Sequence, residues 1–119
     1  MPEDIVETWH DLLARHARTN NALERALSPH GLGVSEFEVL DQLAALNECR
    51  MQELSGLVHL SQSALSRAVA RLEADGLVVR GICPEDRRGI KTQLTEAGHE
   101  RLAAARPAHR QVLAAQLGA

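Results

Sequence analysis

A chain of 119 residues is long enough for one domain with its own core and too short for two. An apolar share of 45% against 24% charged residues excludes intrinsic disorder. No run reaches the about 18 apolar residues of a membrane span, and the acidic opening Met1-Pro2-Glu3-Asp4 lacks the cationic and apolar parts of a secretory signal, so the cytoplasm is the expected compartment. The net charge of −3 speaks against a polyanionic partner until its distribution is read. Between Arg50 and Lys91, seven basic residues face five acidic ones, whereas the rest of the chain carries six basic and eleven acidic. The positive charge is therefore concentrated mid-chain. Cys49 and Cys83 stand apart without CxxC spacing, which points to free thiols rather than a disulfide framework or a thiolate metal site.

In chain order, Ile5, Trp9, Leu12, Leu13, His16, Asn20, Leu23 and Leu27 recur at helical spacing and predict one amphipathic helix over Ile5–Leu27. Ser28-Pro29-His30-Gly31 ends it, since proline cannot continue a helix interior. Ser35 with Glu38 three residues on reads as a capping box for a second helix ending near Asn47, with Phe37, Val39, Leu40, Leu43 and Leu46 inward. Met51 to Val58 reads as a short helix with Leu54, Leu57 and Val58 inward, then a tight turn through His59 and Leu60. Ser61 caps the next helix, Gln62–Ala74, whose stripe is Leu65, Val69 and Leu72 and whose other face is Gln62, Ser63, Ser66, Arg67 and Arg71. Gly76 stops it. Leu77–Ile82 has strand composition, Pro84–Gly89 that of a loop, and Ile90–Leu94 alternates as a returning strand does, which together make a β-hairpin. Thr95 caps a last helix from Glu96 through Leu117, which Pro107 is expected to kink or break.

The predicted fold is mainly α with a small β-hairpin: two helices joined by a tight turn, followed by a hairpin with a cationic tip. This order describes a winged helix-turn-helix. Its second helix enters the major groove, where Gln, Ser and Arg reach base edges and phosphates, and a cationic tip suits the electronegative minor groove. Ser61, Gln62, Ser63, Ser66, Arg67 and Arg71 on the helix and Asp86, Arg87 and Arg88 on the hairpin are the candidate DNA contacts. Each alone reads equally well as solvated surface, and Asp86 as a turn residue; their joint spacing favours the binding surface.

The segments Glu53-Leu54-Ser55, Leu60 through Arg67, Leu72-Glu73-Ala74-Asp75-Gly76-Leu77-Val78, Asp86-Arg87-Arg88 and Leu94-Thr95-Glu96-Ala97-Gly98 resemble, in this order, the multiple antibiotic resistance regulator (MarR) family. The similarity runs from Trp9 to Leu117. It implies a single domain over 1–119, with dimerisation helices at 5–29 and 96–119 and a winged helix-turn-helix DNA-binding lobe at 35–94. It further implies a homodimer on a pseudo-palindromic duplex, with Arg88 in the minor groove and Asp86 orienting the wing; a dimer seated on a promoter most simply occludes polymerase, so repression is the expected direction, with activation as the alternative. Two positions depart from the family pattern: His59 stands where the turn often has glycine, and the sequence stops at Gly118-Ala119, where relatives usually continue into a further interface helix. The latter leaves either a shortened chain or a smaller dimer as the expectation.

The resemblance also implies release from DNA by a small aromatic or phenolic ligand. Trp9, Arg15, His16 and Asn20 are the candidate ligand-binding residues, an indole plate beside polar and cationic groups; a core tryptophan with cross-dimer hydrogen bonds from His16 and Asn20 is the plainer reading. No metal site is expected, because His10, His16, His30, His59, His99 and His109 are scattered, and no cofactor is called for. Catalytic residues are not expected either: no nucleophile-base pair or phosphate-binding glycine loop occurs. A winged-helix module for protein contacts alone, and a regulator sensing redox through Cys49 or Cys83, remain as alternatives.

Overall fold

The computed structural model describes residues 3–46, 48–83 and 86–118, with the side chains of all but 48–52 and 82–90. Five helices and three strands follow in the order α1 Glu3–Leu27, α2 Val34–Leu46, β1 Glu48–Arg50, α3 Met51–Val58, α4 Gln62–Ala74, β2 Val78–Cys83, β3 Asp86–Leu94 and α5 Glu96–Leu117. A 3-10 turn, Ser28–His30, separates α1 from α2. Gly31, at φ +71°, lets the chain reverse there, with Gly31 N–H donating to Ser28 C=O and Leu32 N–H to Leu27 C=O. The expected break at Ser28–Gly31 is thus made by a glycine in the left-handed region.

Helix α2 starts one residue before the expected cap. Phe37 N–H already donates to Gly33 C=O, and the Glu36 carboxylate accepts from Gly33 N–H at 3.3 Å, so Gly33 and Glu36 take the role expected of Ser35 and Glu38. Glu38 is drawn instead to α5. The core forms where α2 lies against α3, α4 and α5: Phe37, Val39, Leu40, Leu43, Leu54, Leu65, Val69, Leu72 and Leu102 are all essentially inaccessible. Leu46 and Leu57, expected inward, remain exposed at the ends of their helices.

The turn between α3 and α4 places His59 at φ 54°, the left-handed conformation that a glycine would take without strain. Ser61 caps α4, its Oγ accepting from Ala64 N–H at 3.1 Å. At the other end Gly76, φ +76°, closes a Schellman motif, with Leu77 N–H to Leu72 C=O and Gly76 N–H to Glu73 C=O.

The hairpin is part of a three-stranded antiparallel sheet, order β1-β3-β2. The first strand was not expected: Glu48–Arg50 pairs with Lys91–Gln93, and three residues are too few to show alternation. Asp86–Gly89, expected as loop, belongs to β3. The register runs from Val78↔Leu94 to Ile82↔Ile90 and then slips to Cys83↔Asp86, so Arg87, Arg88 and Gly89 bulge opposite a single step of β2. The rest of that loop, Pro84 and Glu85, lies outside the described residues, as does the expected end of α2 at Asn47.

Thr95 caps α5 as expected, accepting from Gly98 N–H at 3.0 Å and donating to Gly76 C=O at 2.7 Å. Pro107 does not break α5, which runs through it to Leu117. Along α1 the burial differs from the expected stripe: only Thr19, Leu23 and Leu27 are buried, while Ile5, Val6, Trp9, Leu12 and Leu13 are exposed, Trp9 by 57%. The 25-residue helix projects past its own core. The radius of gyration, 16.3 Å, accordingly exceeds the about 13.5 Å of a compact chain of this length.

Gly98 marks the closest approach of α5 to the sheet. A Cβ there would lie 2.1 Å from the Leu77 carbonyl oxygen, a backbone atom that cannot swing aside. Gly98→Ala is expected to destabilise the fold by about 1–3 kcal/mol, read as a lowered midpoint in urea with an unchanged slope.

Candidate nucleic-acid interface

The amphipathic design of α4 decides what it shows to solvent. Leu65, Ala68, Val69 and Leu72 are buried, which turns Gln62, Ser63, Ser66, Arg67 and Arg71 outward, all exposed. The structure thereby brings these five sequence-predicted residues onto one surface, beside Ser61. Three of the five side chains already have partners. Gln62 Nε2 donates to Ser55 Oγ at 3.2 Å, tying the start of α4 to α3, and Ser61 Oγ lies 3.3 Å from Ser63 Oγ. Arg71, 72% exposed, has a loose ion pair with the more sheltered Glu36 at 3.5 Å. Arg67 and Arg71 line a groove of about 340 Å3 between α4 and the start of α2, together with Ser35, Glu36, Ala64 and Ala68.

The hairpin leaves the C-terminal end of α4 through the turn at Gly76. Asp86, Arg87 and Arg88 lie on β3, the two arginines in the bulge; their side chains, and those of Cys49 and Cys83, are outside the described residues. What ties wing to helix is a pair that sequence reading missed. The Arg80 guanidinium on β2 donates to Glu73 Oε1 on α4 through Nη2 at 2.7 Å and Nε at 3.2 Å. Glu73 and Arg80 are seven residues apart across a turn, a spacing with no signature of its own until the Schellman motif folds β2 back on α4. The hydrogen bond from Arg80 is the main cause that holds the Glu73 carboxyl below its ordinary range; desolvation opposes it, and the guanidinium charge adds a smaller lowering.

The candidate ligand residues are not gathered within a single chain. Trp9, His16 and Asn20 follow one stripe of α1, while Arg15 lies about a third of a turn round and lines a cleft of about 350 Å3 with Thr8, Asp11, Leu12, Ala14 and Arg18. No group of three or more metal-type side chains occurs among the described residues. Likewise, among the described residues, no helix is long and apolar enough to cross a membrane.

A turn-linked helix pair with a polar outer face, continued into an antiparallel hairpin, defines a winged helix-turn-helix. A family model described as MarR family matches residues 30–89. The HTH-type transcriptional regulator MhqR of Bacillus subtilis is 30% identical over 98 residues, 82% of this chain and 68% of that protein. The HTH-type transcriptional repressor IacR of Pseudomonas putida is 34% identical over 97 residues, 81% of this chain and 56% of that protein. The crystal structure of Sco3205, a MarR family transcriptional regulator from Streptomyces coelicolor, in complex with DNA, matches with a TM-score of 0.89 and 30% identity, covering 98% of this chain and 75% of that one. The chain belongs to the MarR family of transcriptional regulators.

The Glu73–Arg80 link carries a definite pH sign. A carboxyl held low in the folded state contributes stability above its unfolded pKa and loses that contribution as pH falls through the folded one. Glu73→Gln is therefore expected to show a small Tm deficit at pH 7 that closes as the pH drops below about 4, measured by paired thermal melts across the acid range.

Proposed function

We propose that this protein is a sequence-specific double-stranded DNA-binding repressor, working in the cytoplasm as a homodimer on a pseudo-palindromic site and released by a small aromatic or phenolic ligand. The observation that carries the reading is the outward polar face of α4, with Arg67 and Arg71, next to a wing whose bulge holds Arg87 and Arg88. Ser61, Gln62, Ser63 and Ser66 meet base edges and phosphates in the major groove, and Arg88, oriented by Asp86, enters the minor groove. The complex of Sco3205 with DNA and the name of IacR, a repressor, support the direction of this reading.

Its test is selection of bound duplex from a random pool, then titration of the selected site at several salt concentrations. One inverted repeat is expected to emerge, with affinity falling steeply as salt rises. Arg67→Ala and Arg88→Ala should each weaken binding by about tenfold or more at unchanged Tm, and a contact to phosphate should reduce the salt slope by about one. Adding aromatic carboxylic acids should release the duplex, and Trp9→Ala or Arg15→Ala should blunt that release. Salt-independent behaviour with no effect of either arginine variant would instead mark a protein-docking module.

The dimer reading rests on α1. Ile5, Val6, Trp9, Leu12 and Leu13 form an apolar surface that a single chain leaves in water, and a second copy would bury it. Trp9 is the sole tryptophan, so its emission reports on this surface directly. On raising protein concentration it should shift to the blue, whereas Leu13→Glu should keep it at the wavelength of solvated indole and hold the chain monomeric in sedimentation.

A further inference from the structure

Helix α5 packs on the recognition lobe through Leu102 and Ala105, buried in the shared core, and on either side of this apolar contact lies a directional one. The first is the close approach at its start, where Gly98 packs on Leu77 and Thr95 bonds to Gly76. The second lies about 16 Å further along the helix axis, eleven residues on. There Asp41 of α2 accepts from two arginines of α5: Arg106 Nη2 at 3.1 Å on Oδ1 and Arg110 Nη2 at 3.0 Å on Oδ2. Between these charges lies His109, only 4% exposed, its ring stacked on Phe37 at 4.2 Å. Arg110 Nη1 donates to His109 Nδ1 at 2.7 Å, which makes Nδ1 the acceptor; the ring proton then sits on Nε2 and is donated to Glu38 Oε1 at 3.2 Å. Every polar atom of the buried imidazole is used.

The apolar contact alone has no preferred direction; close-packed and polar contacts at both ends of it fix an angle. Burying a histidine between two charged partners adds little net stability over an apolar contact, but it tolerates a single arrangement of donors and acceptors. The geometry points to Asp41, Arg106, His109 and Arg110 as positioning residues that set the angle of the recognition lobe on the dimerisation helices, and with it the distance between half-sites that the dimer accepts. The inference rests on the proposed dimer on an inverted repeat. None of these residues touches the polar face of α4, so their effect reaches DNA through placement of the lobe.

The test uses the full chain and a series of duplexes carrying the repeat selected by the wild type, its central spacer shortened or lengthened by one and two base pairs. A single base pair rotates one half-site against the other by about 34°. The wild type should lose about tenfold or more in affinity at one base pair from its optimum, as befits a rigid pair of readers. Asp41→Asn and Arg110→Gln should flatten this profile to less than about threefold while leaving affinity for a single half-site unchanged. Where Asp41→Asn fails to fold, Arg110→Gln and Arg106→Gln, which alter half-exposed side chains, give the same reading, with Tm and sedimentation recorded alongside. Variants that fold, dimerise and keep the wild-type spacer profile overturn the positioning role and leave the repressor reading standing. A wild type that selects no inverted repeat overturns that reading, and the positioning role falls with it.

Discussion

The burial of one side of α4 against α2 is the constraint on which the other features depend. Leu65, Val69 and Leu72 pack into the cluster that holds Phe37, Leu40 and Leu43, and nothing polar on α4 has a place in that contact. Removing these side chains from water is worth roughly 1.5–3 kcal/mol each, several times more than any exposed hydrogen bond on the opposite side can return. The rotation of α4 about its axis is therefore decided by its leucines and valine. The arginines and serines are presented to solvent as a consequence. A binding surface obtained in this way needs no separate organisation, because the core has already done the orienting.

The ends of α4 extend the same logic to its neighbours. Ser61 begins the helix and Gly76 ends it, and each terminator also fixes a direction: the left-handed His59 turns α3 onto the start of α4, and the left-handed Gly76 sends β2 back along it. Glu73 and Arg80 then close the corner between helix and wing. The pair is exposed and of modest strength on its own, yet it acts where the chain has already been folded back by the backbone, so little conformational freedom remains to be lost in forming it. The sheet gains its third strand on the edge of β3 away from β2, from the short segment that joins α2 to α3.

Much of this was legible from residue order. Helices α3 and α4, the Ser61 and Thr95 caps and the Gly76 stop all follow from local chemistry, where a side chain or a missing Cβ acts on its own backbone. Features that need a partner distant in sequence were not legible. β1 exists because β3 offers it an edge; Glu36 caps Gly33 while Glu38, which looked like the cap, is claimed by His109 of α5. The stripe on α1 was legible as a periodicity, which reports that a face is apolar and not which molecule covers it. Likewise, Arg15, read as lying beside the Trp9 stripe, is carried by helical geometry round to another side.

Pro107 adds a mechanical property to α5. Lacking an N–H, it leaves the carbonyl of Ala103 without its usual partner four residues on, and both residues lie on an exposed side of the helix. A helix with one rung missing is softest to bending at that rung, away from the proline ring. The soft spot falls directly beside Arg106 and His109. The rod joining the two ends of the molecule is thus a pair of stiff segments with a compliant joint, and the joint is splinted by side chains from α2.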